Sequence, residues 1–163
     1  MRAVAILKKI SDGIDSLITR AVFISVVLMI ISITLQIVFR VFFEALTWTE
    51  EVSRYLLVWS TFLGATLAYK RSMHISVTFI VNLFRNKIRK LIVVLSIISS
   101  MVFFITIIVF GFKYMVMQAS QVSAALRIPM RWVYTVIPVS FTVMTIHSVT
   151  AIFQELFSRG GVK

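Results

Sequence analysis

The stretch Thr47-Trp48-Thr49-Glu50-Glu51-Val52-Ser53-Arg54-Tyr55 holds the densest set of reactive side chains in the sequence. Two adjacent carboxylates could do acid–base work, but such a pair needs a nucleophile, a metal ligand or a separately tuned acid beside it. None accompanies them. The spacing fits a helix start instead. Thr47 and Glu50 stand at capping-box distance, where hydroxyl and carboxylate satisfy the free N–H groups of a first turn. Glu50 lies four residues before Arg54 and Glu51 three before it, so either carboxylate can pair with the guanidinium on a helix. Pairing lets an arginine enter the first turns of a membrane helix without a large desolvation cost. A second reading stays open beside capping: Trp48 and Arg54 together resemble the aromatic and arginine anchors of protein interfaces. Trp48, Glu50, Glu51, Arg54, Arg127 and Arg131 are therefore the candidates for docking a subunit or partner.

Other polar residues read more plainly. Ser60, Gly64 and Ala68 repeat at four-residue intervals and form a small-residue groove, filled either by this chain's own bundle or by a helix of another chain. Lys70, Arg71 and His74 follow an apolar run, where positive charge suits a helix C-terminus and lipid headgroups. His147 is the only other histidine. It lies within an apolar run and reads as a hydrogen-bonded packing residue. The chain has no cysteine, which excludes disulfides, thiolate nucleophiles and cysteine-based metal sites. No enzyme activity, cofactor or metal is expected.

The elements that position these residues follow from hydropathy. Of the 163 residues 60% are hydrophobic, and the mean hydropathy is +0.99, against about 45–50% apolar residues in soluble domains. The charges cluster, and the gaps between them approach the roughly 20 residues that cross about 30 Å of hydrocarbon. Three runs are clean: 21–39 between Arg20 and Arg40, 91–112 between Lys90 and Lys113, and 132–154 between Arg131 and Glu155, with Pro138 near its start. The remaining run is short. Tyr55 to Tyr69 has only 15 uncharged residues, so the span is placed at 49–69, with Glu50, Glu51 and Arg54 in its first turns.

Residues 3–19 carry Val4, Leu7, Ile10, Ile14, Leu17 and Ile18 on one helical face, opposite Lys8, Lys9, Asp12 and Asp15, a pattern of interfacial helices; a plain extension of the first span is the alternative. Val77, Ile80, Val81, Phe84 and Ile88 give 76–90 the same character, with Ser76 as N-cap. The first apolar run lacks a small-x-small cleavage site and is expected to be retained. The fold class expected is a single all-α membrane domain of four transmembrane helices plus these amphipathic interfacial helices.

Orientation comes from Lys and Arg. The N-terminal segment, the 70–90 loop and the tail hold four, six and two; the connections at 40–54 and 113–131 hold two and three. Twelve against five is expected to place both termini and the 70–90 loop on the cytoplasmic side of the membrane. The net charge of +11 borders the apolar runs, so it points to anionic lipid rather than nucleic acid. The spans at 21–39, 91–112 and 132–154 carry no Asp, Glu, Lys or Arg. Ion-coupled carriers place such groups at the midplane, so this chain is not expected to carry a solute alone.

Several pieces together resemble one family. They are Trp48-Thr49-Glu50-Glu51-x-x-Arg54-Tyr55, Gly64, Arg71-x-x-His74-Ile75-x-Val77 and Ile128-Pro129-x-x-Trp132-x-Tyr134-x-x-Ile137-Pro138. In that order they resemble the small, Q-type (DctQ-like) membrane subunit of tripartite ATP-independent periplasmic (TRAP) transporters. Thr78 departs from the pattern, where many members carry an acid. The resemblance implies a stable heterodimer with a large TRAP membrane subunit that carries the substrate, typically with sodium. It also implies a transient periplasmic substrate-binding protein and a carboxylate substrate such as a C4-dicarboxylate or sialic acid. The small subunit would then be a scaffold. Two alternatives remain: a self-sufficient channel or carrier, which needs a polar stripe, and a membrane anchor of an enzyme complex, which needs paired haem-ligating histidines.

Overall fold

A long apolar segment in a bilayer has to close its backbone hydrogen bonds within itself, and the α-helix is the way an unpaired segment does so. The computed structural model describes the backbone of residues 2–81 and 86–157 and the side chains of 5–71, 88 and 91–156. Five helices follow in order: α1 (Arg2–Phe42), α2 (Thr47–Val81), α3 (Asn86–Met117), α4 (Met130–Tyr134) and α5 (Val136–Phe157). A 3-10 turn, Gln118–Ser120, ends α3. Among the described residues, three helical stretches are long and apolar enough to cross a membrane: Ala5–Phe42, Leu91–Ser120 and Met130–Leu156, with mean hydropathies of 2.7, 2.9 and 1.7. α2 falls outside that set because its uncharged stretch, 55–69, is short, so a span-length window takes in Arg54 or Lys70 and Arg71.

The expected boundaries change in three places. Residues 3–19 are not a separate interfacial element: α1 runs 41 residues without a break. Ile14 and Ile18, one turn apart, both pack into the core it shares with α2 and α5. The expected helix at 76–90 is not separate either. Residues 76–81 continue α2 and 86–90 begin α3, so Ser76 caps no helix start; 82–85 lie outside the described residues. The run 132–154 is divided between α4 and α5 at Thr135. Pro138 lacks the N–H that would reach back to Tyr134, and its ring crowds that carbonyl. The ladder resumes with Val139 N–H donating to Thr135 O at 3.3 Å.

Between helices in lipid, the apolar drive that folds soluble cores is weak, and close packing and polar contacts take over. Both are present. Leu63 and Leu67 of α2 meet Ile18 of α1 and Val136 of α5 in one cluster; Val93 and Ile97 of α3 meet Ala151 and Ile152 of α5 in another. Tyr69 stands edge-on to Phe104 at 4.9 Å, and Phe104 lies 5.6 Å from Phe141, joining α2, α3 and α5. Such pairs add about 0.5–1.5 kcal/mol beyond burial. α3 packs tightly on α5 at Gly111, where an added Cβ would sit 3.3 Å from Ile137 Cγ2 and 3.4 Å from Pro138 Cδ.

Candidate functional site

Two polar clusters stand along α2, one at its N-terminus and one at Tyr69 and Lys70, separated by about 28 Å of helix. The first is built around its N-terminus. Thr49 is fully buried. Its hydroxyl donates to Leu46 O at 2.7 Å, and its carbonyl accepts from Ser32 of α1 at 3.0 Å and Ser53 at 2.8 Å. This ties the start of α2 to α1. The expected capping box is not what holds the turn: Glu50 turns forward and accepts from Arg54 Nη2 at 2.6 Å. That pair is exposed on both sides and contributes little to stability.

Glu51 does something the sequence did not announce. Its two carboxylate oxygens accept from the backbone N–H groups of Ala125 and Leu126, at 2.9 and 3.0 Å. It therefore clasps the α3–α4 loop, 74 residues away, instead of pairing with Arg54. The loop is itself a small hairpin. Ser123 N–H donates to Ile128 O at 2.9 Å, Met130 N–H donates to Gln121 O at 2.9 Å, and Ile128 N–H donates to Ser123 Oγ at 3.2 Å. Arg127 occupies its tip with φ 54°, a left-handed conformation that costs a non-glycine residue and is sustained by the bonds on either side. Glu51 stands in the first turn of α2, ahead of the uncharged stretch 55–69.

The consequence is convergence. The 48–55 and 127–131 segments, remote in sequence, meet at one end of the bundle, where the Tyr55 hydroxyl also lies 3.5 Å from Met130 Sδ. Trp48, Glu50, Arg54, Arg127 and Arg131 are all exposed there, while Glu51 is half-buried. Arg131 covers its neighbour Trp132, with the guanidinium carbon 5.4 Å from the ring centre. Arg127 and Arg131 make no ion pair among the described residues.

The second cluster joins α1, α2 and α5. Lys70 turns inward rather than toward lipid: Nζ donates to Ser11 O at 3.0 Å and to Asp12 Oδ1 at 2.8 Å, and lies 4.0 Å from Asp15 Oδ1. Ser11 Oγ lies 2.7 Å from Nδ1 of the buried His147, so this histidine packs by hydrogen bonding. Tyr69 and Ser148 share a further hydrogen bond at 2.8 Å. Arg71 is exposed; the His74 side chain lies outside the described residues. No set of three metal-ligating side chains occurs among the described residues.

The small-residue set lies apart from both clusters. Ser60 and Gly64 are half-buried and Ala68 is exposed. An added Cβ at Gly64 would meet nothing within 4 Å, so none of the described residues fills the groove there.

Comparison with known proteins bears on both clusters. Residues 29–158 match the family model of the DctQ component of tripartite ATP-independent periplasmic transporters. Over 56 residues, 34% of the chain, it is 48% identical to a TRAP transporter small permease protein of Haemophilus influenzae. It is 29% identical over 107 residues, 66% of the chain, to the sialic acid TRAP transporter small permease protein SiaQ of Vibrio cholerae. It is 27% identical over 112 residues, 69% of the chain, to the sialic acid TRAP transporter permease protein SiaT of Haemophilus influenzae. The matched stretches span 35%, 62% and 18% of these relatives, less than two thirds of each. The family is a transporter component and not an enzyme. Because its match runs from α1 through the Glu51 clasp to the end of α5, this chain belongs to the DctQ family, the small subunits of TRAP transporters.

Proposed function

We propose that this chain is the scaffold of a TRAP-type secondary transporter, bracing a large permease subunit in a bacterial inner membrane. In this reading it crosses the membrane four times, α2 being the fourth span, with both termini and the 70–90 segment in the cytoplasm. The large subunit carries a carboxylate substrate of the C4-dicarboxylate or sialic acid type together with sodium. A periplasmic binding protein delivers that substrate. The names of the similar proteins from Haemophilus influenzae and Vibrio cholerae support the sialic acid branch of this class.

The observation that carries the reading is the convergence at the N-terminal end of α2. A carboxylate with no chemical partner, Glu51, is used to hold an arginine-bearing loop beside Trp48 and Arg54. The product is an exposed surface of aromatic and cationic side chains, the composition that interface anchors favour. The open groove at Gly64 offers a helix-packing face on the same element. Reconstitution tests the reading: uptake is expected from the chain together with its large subunit and binding protein, and not from the chain alone.

A further inference from the structure

At the end of the bundle where α1 begins and α5 finishes, helices α1, α2, α3 and α5 enclose a cavity of about 310 Å³. That is the lower end of the roughly 300–1,000 Å³ typical of ligand sites. Apolar voids left by imperfect packing stay dry; this one has charged walls. Lys8 and Asp12 come from α1, Lys70 from α2 and Glu155 from α5, while Val93 and Ile97 of α3 close one side. Two of the four charges are spent on each other, Lys70 on Asp12 at 2.8 Å. Lys8 and Glu155 make no ion pair and no hydrogen bond among the described residues. Among the described residues the cavity thus presents a cation and an anion on different helices, Lys8 and Glu155, that no ion pair occupies. His147, also in the wall, leaves its buried Nε2 without a partner.

A simple anion in this space would meet the Glu155 and Asp12 carboxylates, and a simple cation would meet Lys8 and Lys70. A group carrying both charges a few ångströms apart answers both walls. The apolar side selects further. On α3 the exposed Ile92 flanks the buried Val93 and Ile97, an apolar edge against which an acyl chain can lie. The carboxylate of Glu155 can accept hydrogen bonds from a primary ammonium, and a quaternary one has no N–H to give. We propose that this cavity binds the phosphoethanolamine headgroup of a phospholipid, its phosphate toward Lys8 and its ammonium toward Glu155. The proposal rests on the reading that the chain crosses a membrane with this end at a leaflet surface.

The test uses the full-length chain, purified with any membrane subunit that accompanies it, in nanodiscs of mixed phosphatidylethanolamine, phosphatidylcholine and phosphatidylglycerol. Lipid retained after detergent transfer is read by native mass spectrometry. Wild type should retain phosphatidylethanolamine over each competitor by about tenfold, the factor that one charge-assisted hydrogen bond supplies. Glu155→Gln should remove that preference, and Lys8→Ala should lower retention of all three phospholipids alike, with unchanged melting showing that the variants fold. Equal retention of the three lipids by wild type, a preference that survives Glu155→Gln, or unchanged retention in Lys8→Ala would overturn the proposal. Free O-phosphoethanolamine is the second arm. If it binds wild type as a mass adduct while no lipid is retained, the lipid assignment is overturned. Neither readout requires uptake or the large subunit, so a negative result here is distinct from failure of the scaffold reading.

Discussion

Two glycines on neighbouring helices meet opposite surroundings, and that contrast can be measured. At Gly111 a Cβ would lie 3.3 Å from Ile137 Cγ2, 3.4 Å from Pro138 Cδ and 3.6 Å from Pro138 N. Gly111→Ala gains about 1 kcal/mol of helix propensity and gives up a comparable amount to crowding, because the half-buried Ile137 must yield by a few tenths of an ångström. Its net effect is expected near zero. Gly111→Leu adds three more carbons toward Pro138, which is fully buried and cannot move aside. Overpacking of this kind costs about 1–3 kcal/mol, a loss of several degrees in melting temperature at about 2–4 °C per kcal/mol. At Gly64 a Cβ meets nothing within 4 Å, so Gly64→Leu should not destabilise the chain and should gain up to about 0.8 kcal/mol of helix propensity. It should nonetheless block the large subunit from packing on α2. Melting of the purified chain in detergent and pull-down of the tagged chain with the large subunit supply the two readouts. Equal destabilisation by both leucines, or normal assembly of Gly64→Leu, would refute the reasoning.

Three further outcomes follow from the polar ends. Reversing the exposed pair, with Glu50→Arg and Arg54→Glu together, should leave the chain folded yet reduce pull-down of the large subunit and uptake; normal assembly and uptake would mean the pair only steadies α2. Glu51→Gln removes the charge that holds the Ala125 and Leu126 N–H groups, so trypsin should cut after Arg127 faster than in wild type, and an unchanged rate would contradict the clasp. Single cysteines at Ser16 and Ser72 should resist an impermeant thiol reagent in spheroplasts while one at Ser120 reacts, the chain having no cysteine of its own. Ser16 serves because it is exposed, whereas Ser11 is buried against His147. Labelling at Ser72 from outside would reverse the orientation.

Three of the four expected spans were legible because charge brackets them. Arg20 and Arg40, Lys90 and Lys113, and Arg131 and Glu155 bound runs that correspond to helices apolar enough to cross a membrane. The continuity of α1 was legible only as the alternative to an interfacial helix. Asp12 and Asp15 made residues 3–19 look like an interfacial element, and only the fold reveals that Lys70 is there to receive Asp12. The partner of Glu51 was hidden for a related reason. Along the chain its nearest cation is Arg54, three residues on, but a carboxylate facing two free backbone N–H groups can satisfy both oxygens at once, and topology brings the α3–α4 loop to it. Thr49, Ser32, Ser11 and Ser148 went unnoticed because a lone hydroxyl in an apolar run carries no periodic signal. Gly111 went unnoticed because it has no small neighbour at four-residue spacing, its complement being the Ile137–Pro138 step on another helix.

The central claim, that this chain braces a transporter and carries nothing itself, meets its most direct test in proteoliposomes. Sodium-driven uptake of labelled sialic acid or a C4-dicarboxylate should be absent with the chain alone. It should appear when the large subunit and the periplasmic binding protein are added, and vanish again when this chain is withheld. Uptake by the isolated chain above empty vesicles, or undiminished uptake by the large subunit and binding protein without it, would contradict the account.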